Sequence, residues 1–338
     1  MTAGATDQAT ATAEAGFWRG RSVLVTGCSG FLGARLTQVL VERGAEVVGL
    51  VRDQVPWSPL HSEAIDARIV VVRGEVQDQA LLERVLNEYE VACVFHLAAQ
   101  AIVGVANRNP VATFETNIQG TWCLLEACRR SQLVKRVVVA SSDKAYGDHR
   151  VLPYTEEHAL AGRHPYDVSK SCADLIALTY AHTYGLRVGV TRCGNIFGPR
   201  DVNFSRIIPG TIRSALRGER PVIRSNGSPV RDYIFIDDVV AGYLQLAEKV
   251  DRDGIAGRAF NFGTGEQQSV LQLTELILNA TGRPDLAPVI LDEAKAEIAN
   301  QYLSYEAARR DLEWSPGARV AARLDETVAW YRRYLSLL

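Results

Sequence analysis

The chain has 338 residues, 47% of them hydrophobic and 22% charged, with a formal net charge of −2. That is globular usage, and at about 100–200 residues per domain it allows one large domain or two modest ones while excluding a disordered or collagen-like chain. The absence of a basic surplus argues against nucleic acid as a partner, and no run reaches the about 18 apolar residues of a membrane span. Met1–Gly16 has neither the basic n-region nor the apolar core of a secretory signal. Residues 1–20 read as a disordered leader. The cysteines (Cys28, Cys93, Cys123, Cys128, Cys172 and Cys193) are widely spaced, with no Cys-x-x-Cys pair and no clustered histidines. They imply reduced thiols, no metal site and a cytoplasmic location.

Structure is expected from Arg21. Ser22–Thr26 is a β-branched run ending in glycines, the mark of a buried strand. A helix over Phe31–Arg43 follows, with Leu32, Leu36, Val39 and Leu40 on one face and Gly44 where a C-terminal cap belongs. Strands at Ala45–Val51, Arg68–Val72 and Val91–His96 enclose a helix at Ala80–Glu88. A long helix at Val111–Ser131, a strand at Arg136–Ser141, a helix at Tyr166–Tyr184 and a strand at Arg187–Arg192 complete the series. This alternation predicts an α/β fold, a doubly wound parallel sheet covered on both faces. After Gly194 the rhythm breaks into short elements and Pro/Gly punctuation, with Asp201–Pro229 irregular. Helices are expected again at Asp237–Lys249, Val270–Thr281 and Leu324–Leu337. The division is a dinucleotide-binding core over 21–193 and a smaller mixed C-terminal, substrate-binding region over 194–338, some of whose segments return to the sheet.

Gly27-Cys28-Ser29-Gly30-Phe31-Leu32-Gly33 lies between the first strand and the first helix with G-x-x-G-x-x-G spacing. Gly27 permits the tight turn, Gly30 lets the backbone approach a pyrophosphate, and Gly33 allows close helix packing. The pyrophosphate would meet free N–H groups at a helix N-terminus. A residue that selects the adenosine ribose should lie about 20 residues on. Asp53 is there and would hold an unmodified ribose, whereas its neighbour Arg52 would accept a 2′-phosphate. NAD is the expected cofactor, with NADP left open; a solvated Arg52–Asp53 loop pair is the plainer alternative.

Tyr166 and Lys170 are four apart on a helix, hence on one face. An ammonium beside a phenol favours the phenolate, which suits Tyr166 to act as a general base. Ser142 ends the preceding strand, where ligands of parallel sheets bind. His96 reads as a packed strand-end residue.

Together these motifs resemble the extended short-chain dehydrogenase/reductase family of nucleotide-sugar epimerases and dehydratases, from Arg21 to the C-terminus. The carrying motifs are Thr-Gly-Cys-Ser-Gly-Phe-Leu-Gly (26–33), His-Leu-Ala-Ala (96–99), Asn117 in Thr-Asn-Ile-Gln-Gly-Thr, Ser-Ser-Asp-Lys-Ala-Tyr-Gly (141–147) and Tyr-x-x-x-Lys (166–170). Arg-Cys-Gly-Asn-Ile-Phe-Gly-Pro (192–199) and Arg-Asp-Tyr (231–233) complete them. The resemblance implies a Rossmann-type sheet. It also implies that Ser29, Phe31, Leu32, Leu97, Ala98, Ala99 and Asn117 line the cofactor and that Glu75 and Val76 flank its adenine. Ser142, Tyr166 and Lys170 would be the catalytic core. Gln100, Asn195, Arg206 and Arg231 would hold the nucleotide-diphosphate sugar, as guanidinium forks and amides suit phosphate oxygens. The plainer alternatives are an Arg231–Asp232 surface ion pair and a loop charge at Arg206. A homodimer built on the helices Val111–Ser131 and Tyr166–Tyr184, two from each subunit, is also implied.

Asp143 and Lys144 bear on the reaction. A C4 epimerase needs only the hydroxyl, the Tyr and the Lys. A 4,6-dehydratase also needs a base at C5 and an acid at C6. Family dehydratases commonly carry Asp-Glu at these two positions, and the Asp-Lys found here resembles the CDP-glucose 4,6-dehydratase branch. Asp143 would then be the acid and Lys144 the base or the activator of a water. If the two are only a strand-end ion pair with Lys144 solvated, an epimerase remains. The base pocket is expected from Asp201–Pro229 and Gln301-Tyr302.

Overall fold

The computed structural model describes residues 16–55, 57–293 and 298–337. It divides into two compact units. One comprises the described part of Met1–Ser141 with Gly162–Thr191 and Tyr243–Ala259; the other comprises Ser142–Ala161, Arg192–Gly242 and Phe260–Leu338. The chain therefore crosses the division several times; the expectation was a core over 21–193 with some later segments returning to the sheet, and Tyr243–Ala259 is one such segment.

The sheet holds β1 (Ser22–Thr26), β2 (Glu46–Val51), β3 (Val70–Arg73), β4 (Cys93–His96), β5 (Arg136–Ala140), β6 (Val188–Cys193) and β7 (Arg258–Phe262). Their order is β7-β6-β5-β4-β1-β2-β3, and β1 to β6 pair in parallel. Runs such as Val23-Leu24-Val25 and Val137-Val138-Val139 are buried throughout, because a parallel sheet covered on both faces has no solvent side. The order reverses between β1 and β4, and ligands of such sheets bind beyond the strand ends at that point. There Thr26 lies beside His96, which in turn lies beside Val139.

Helices Phe31–Glu42, Gln79–Glu88 and Pro165–Tyr184 form where the apolar spacing placed them. Leu82, Val85 and Leu86 join Leu24, Val94, Leu124 and Ala177 in one core cluster. The long helix expected over Val111–Ser131 is not uniform. It runs as Pro110–Phe114, a π-helical turn at Glu115–Gln119, and Gly120–Arg130. Hydrophobic period does not report such a turn, and π-turns collect at functional positions; this one carries Asn117.

The leader reading for residues 1–20 needs correction at its end, the residues before Gly16 lying outside the described residues. Gly16–Trp18 form a helical turn. Trp18 is fully buried, packed on Phe95 with ring centroids 5.8 Å apart, and its indole N–H donates to Glu248 Oε1 at 2.6 Å. One large aromatic has recruited a segment whose other residues lack periodicity.

The other unit holds the paired strands Asn195–Phe197 and Tyr233–Phe235 and a three-stranded sheet in which Val230–Arg231 lies between Gln268–Ser269 and Asn300–Gln301. Helices Ile207–Leu216, Val270–Thr281 and Val320–Leu335 pack on one another. The first corrects the reading of Asp201–Pro229 as irregular. Pro209 sits within its first turn, where proline removes no needed donor. The second is closed by a capping box between Ser269 and Gln272 and ended by left-handed Gly282.

Replacing Trp18 by Ala should cost about 3–5 kcal/mol, as for other buried tryptophans. Chemical denaturation checks this; a midpoint unchanged within error would contradict the buried placement.

Candidate active site

The glycine turn is set by backbone crowding. Gly27 has φ +73, and a Cβ there would lie 2.7 Å from Ala98 N and 2.8 Å from Leu97 C. A Cβ on Gly33 would lie 2.1 Å from Gly27 O. The contact that requires Gly33 is thus with the turn's own carbonyl. Gly30 is the N-cap of Phe31–Glu42, with no side-chain cap and no acidic residue in the first turn. The helix N-terminus therefore keeps its amides for an anion. Ser29, Phe31 and Leu32 around it are half-buried, and Ser29 O accepts from Ser58 Oγ at 2.6 Å. The motif's Cys28 is buried with its thiol pushed up to about 12 by desolvation, which makes it an inert packing group.

Leu97, Ala98 and Ala99 follow β4, half-buried. The N–H groups of Leu97 and Ala98 both donate to Thr26 Oγ1 at 3.2 Å. Thr26 Oγ1 is 2.9 Å from His96 Nδ1, His96 Nε2 is 3.0 Å from Thr121 Oγ1, and Thr121 Oγ1 donates to Asn117 O at 2.6 Å. The carbonyl end fixes the direction of every proton. Thr121 gives its only hydrogen to that carbonyl, so His96 Nε2 carries the proton and Nδ1 accepts from Thr26. Burial first, and Lys170 second, lower the His96 pKa to about 3. The imidazole is neutral and structural, as the strand-end reading expected.

Asn117 was assigned to the cofactor, but its side chain is committed within the protein. Oδ1 accepts from Gln100 N at 2.7 Å, while Nδ2 donates to Gln100 O at 3.2 Å and to Ser169 Oγ at 2.8 Å. Ser169 Oγ in turn donates to Tyr166 O at 2.7 Å. Asn117 therefore positions the post-β4 segment and the helix Pro165–Tyr184. The Gln100 side chain accepts from Ile102 N at 3.0 Å, closing its own loop. Val76, expected beside the adenine, is buried in the core, where a Cβ on Gly120 would meet its Cγ1 at 2.4 Å; Glu75 is exposed. Only the backbone of residue 76 remains for a ligand. Arg52 and Asp53 follow β2 with side chains 54% and 63% exposed and Nε to Oδ2 at 2.7 Å, the geometry of a solvated pair.

Tyr166 and Lys170 sit one turn apart on Pro165–Tyr184. Lys170 is 6% exposed and donates to Ala140 O at 2.7 Å, which holds its amine against the end of β5. Tyr166 is half-exposed.

Taken by itself, the other unit holds Ser142, Asp143, Lys144, Asn195, Arg206 and Arg231. Ser142 is extended and caps the 3-10 turn Asp143–Tyr146, accepting from Lys144 N at 3.2 Å and donating to Asp143 Oδ1 at 3.0 Å. Asp143 is 3% exposed, and its Oδ2 has no hydrogen-bond partner among the described residues. An orphan carboxylate oxygen in a buried place costs stability, and it keeps one oxygen available for chemistry. Lys144 is half-buried and donates to Gln301 Oε1, so the solvated alternative does not hold. The turn is anchored below by Tyr146, whose hydroxyl donates to Asn261 Oδ1 at 2.7 Å and accepts from Arg192 at 2.9 Å.

Arg231 is 5% exposed, and its guanidinium donates to Val230 O and Ala299 O. Its neighbour Asp232 is wholly buried and accepts from Thr264 N, Thr264 Oγ1, Gly265 N and Leu303 N. A surface Arg231–Asp232 ion pair is excluded by that burial. Asn195 is half-buried and bonds to Asp232 O through its backbone and amide. Arg206 is the N-cap residue of Ile207–Leu216, 3.0 Å from the buried carboxylate of Asp201, a loop-ordering pair. Gln301, assigned to the base pocket, has no exposed surface and instead ties Lys144 to its turn. Thr121 and Ser169 lie inside the Asn117 and Tyr166–Lys170 motifs, but no sequence signal gave their contacts or that of Gln301, because each joins segments far apart in the chain. Among the described residues no group of three His, Cys, Asp or Glu could hold a metal.

Comparisons with known proteins give the family and the fold. Residues 23–263 match the model of the NAD dependent epimerase/dehydratase family. The CDP-glucose 4,6-dehydratase of Salmonella typhimurium is 29% identical over 336 residues, 94% of this chain and 92% of that one. A UDP-glucose 4-epimerase structure from Thermotoga maritima, with UDP-glucose, superposes with TM-score 0.85 at 31% identity, covering 93% of this chain and 99% of that one. The dTDP-glucose 4,6-dehydratase of Streptomyces venezuelae, solved with NAD, gives 0.84 at 29% identity, covering 94% and 98%.

Two outcomes follow from the geometry. Gly33→Ala should abolish dinucleotide binding in calorimetry, since the clash is backbone on backbone; retained affinity would refute the crowding argument. The His96 pKa is depressed, so the unfolded chain takes up a proton below about pH 6.5 that the folded chain refuses until about pH 3. Across that window the group should remove about 1.4 kcal/mol of stability per pH unit as pH falls. His96→Gln should flatten that limb of the stability–pH curve.

Proposed function

Since the chain belongs to the NAD dependent epimerase/dehydratase family, we propose that it is a nucleotide-sugar 4,6-dehydratase, taking CDP-glucose or a close analogue and giving a 4-keto-6-deoxy sugar. The observation that carries the dehydratase reading is Asp143: a buried carboxyl with one unpartnered oxygen, directly after the serine and before a lysine held at its amine. A C4 epimerase has no use for that pair.

The residues around the glycine turn fit a dinucleotide: two positions without room for a Cβ and a helix N-terminus with no side-chain cap. Gly27, Ser29, Gly30, Phe31, Leu32 and Gly33 would hold the pyrophosphate; Leu97, Ala98 and Ala99 would line it; Asp53 would take the ribose. Bound NAD supplies reversible oxidation at the sugar carbon and is returned unchanged at the end of the turnover. Tyr166, with its phenolate favoured by the Lys170 ammonium, removes the proton of the C4 hydroxyl, which Ser142 orients. Once C4 is a ketone, the C5 proton is acidic. Neutral Lys144 removes it, and that electron pair forms the C5–C6 double bond. The C6–oxygen bond breaks as Asp143, protonated, gives its proton to the leaving oxygen, which departs as water. C6 would then take back the hydrogen removed from C4 and C5 the proton held by Lys144, which completes the 4-keto-6-deoxy sugar. Asn195, Arg206 and Arg231 would bind the diphosphate.

A C4 epimerase is the second reading, favoured by the fold likeness to the UDP-glucose 4-epimerase. The reading also includes a cytoplasmic location and a homodimer. Trp122 and Leu175 lie exposed on Gly120–Arg130 and Pro165–Tyr184, with Val103 and Val111 exposed nearby in the chain, and exposed apolar faces of this kind mark association surfaces.

Incubation with CDP-, dTDP-, GDP- and UDP-hexoses, followed by mass, tests the function. Loss of one water from one of them is expected; an isobaric product with a new retention time would establish the epimerase instead. Tyr166→Phe should abolish turnover, and Lys144→Ala should stop water loss while sugar oxidation persists. For the assembly, Trp122→Glu combined with Leu175→Glu should halve the mass seen in sedimentation. A dimer that persists would place the interface elsewhere.

A further inference from the structure

Gln301 has no accessible surface, so it cannot line a base pocket, yet its side-chain amide spans two groups assigned to the elimination. Nε2 donates to Asp143 O at 2.9 Å, and Oε1 accepts from Lys144 Nζ. We infer that Gln301 is a positioning residue for water elimination, holding the Lys144 amine and the Asp143 turn in one arrangement. This rests on the dehydratase reading above.

The amide has only one permissible orientation. Turned over, it would set Oε1 against the Asp143 carbonyl, two acceptors with no proton between them, and would aim an N–H at the Lys144 nitrogen, whose lone pair is the one needed at C5. Its backbone is equally constrained. Asn300–Gln301 pairs in parallel with Val230–Arg231, Gln301 opposite Arg231. Just beyond, Tyr154 N donates to Tyr302 O at 3.0 Å, Ser304 N donates to Tyr154 O at 2.8 Å, and Leu303 N donates to Asp232 at 3.2 Å. A short strand pinned on both sides thus carries one fixed acceptor to the lysine.

The choice of an amide matters chemically. A lysine that takes a proton from carbon must be neutral at that moment. A carboxylate at this position would hold it as the ammonium by full charge. An uncharged carbonyl oxygen orients the amine through its hydrogen and leaves the nitrogen lone pair available to C5. Gln301 touches neither sugar nor cofactor in this account and acts only through Lys144 and the turn.

The test uses the full chain with bound NAD, CDP-glucose and dTDP-glucose, and the variants Gln301→Leu and Gln301→Glu. Water loss is followed by mass and sugar oxidation by the near-ultraviolet absorbance of reduced nicotinamide. In both variants kcat for water loss should fall by about 100-fold, within the range that acid–base groups contribute. KM should stay within about threefold, the pattern of an interaction used after binding. Reduced nicotinamide should accumulate, because oxidation at C4 continues while elimination stalls. A disordered core would remove the oxidation signal as well, so this accumulation separates positioning from a structural role. If the leucine variant fails to fold, the glutamate variant, of nearly equal volume, decides on the same readings. Wild-type kcat in the folded variants, or equal loss of oxidation and elimination, overturns the inference. A wild-type protein that loses no water from either sugar overturns the dehydratase reading beneath it.

Discussion

Nothing larger than hydrogen fits at residues 27 and 33. One position is closed by the backbone of Leu97 and Ala98, the other by the carbonyl of Gly27. That crowding brings the end of β1, the end of β4 and the start of the first helix together at the point where strand order reverses. The surface so made is almost all backbone, and backbone amides at a helix start are what a diphosphate binds. The rest of the nucleotide-binding unit holds this surface in place.

Its chief device is a line of hydrogen bonds whose direction is fixed by its ends. Two amides after β4 converge on Thr26, Thr26 gives its proton to His96, and His96 passes order through Thr121 to the carbonyl of Asn117. Asn117 spends its own amide on Gln100 and Ser169, and Ser169 bonds the carbonyl of Tyr166. The π-turn at Glu115–Gln119 is the local irregularity that carries Asn117. Fully satisfied buried networks of this kind favour a single arrangement. In the other unit, Asp232 and the group of Tyr146, Arg192 and Asn261 do the same for the strands and the turn that carry Arg231, Ser142, Asp143 and Lys144. In that turn Asp143 Oδ2 is left without a hydrogen-bond partner among the described residues.

Much of this was legible in the sequence, for reasons that differ by element. The strands and the helices Phe31–Glu42, Gln79–Glu88 and Pro165–Tyr184 announce themselves because period and burial coincide. The glycine turn is legible because its residues are contiguous. The Tyr166–Lys170 pairing is legible because helix spacing alone sets it. The helix Ile207–Leu216 was hidden by Pro209 and Gly210, which read as punctuation although the proline lies in the tolerant first turn. Trp18 was hidden among residues with no period. Val76 and Asn117 carried family roles at ligand contacts, but one side chain is in the core and the other is committed to the protein. Gln301 was misread because its partners lie more than 150 residues away in the chain, and no local pattern reports a contact at that range.

In the dehydratase cycle one bound sugar is oxidised at C4, loses water across C5 and C6, and regains its hydrogen at C6 without exchange with solvent. The direct measurement is turnover of a hexose nucleotide carrying deuterium at C4, with the product examined by NMR and mass. The expected product is lighter by one water, with the label on its C6 methyl group. A product of unchanged composition with the label still at C4 would contradict that cycle.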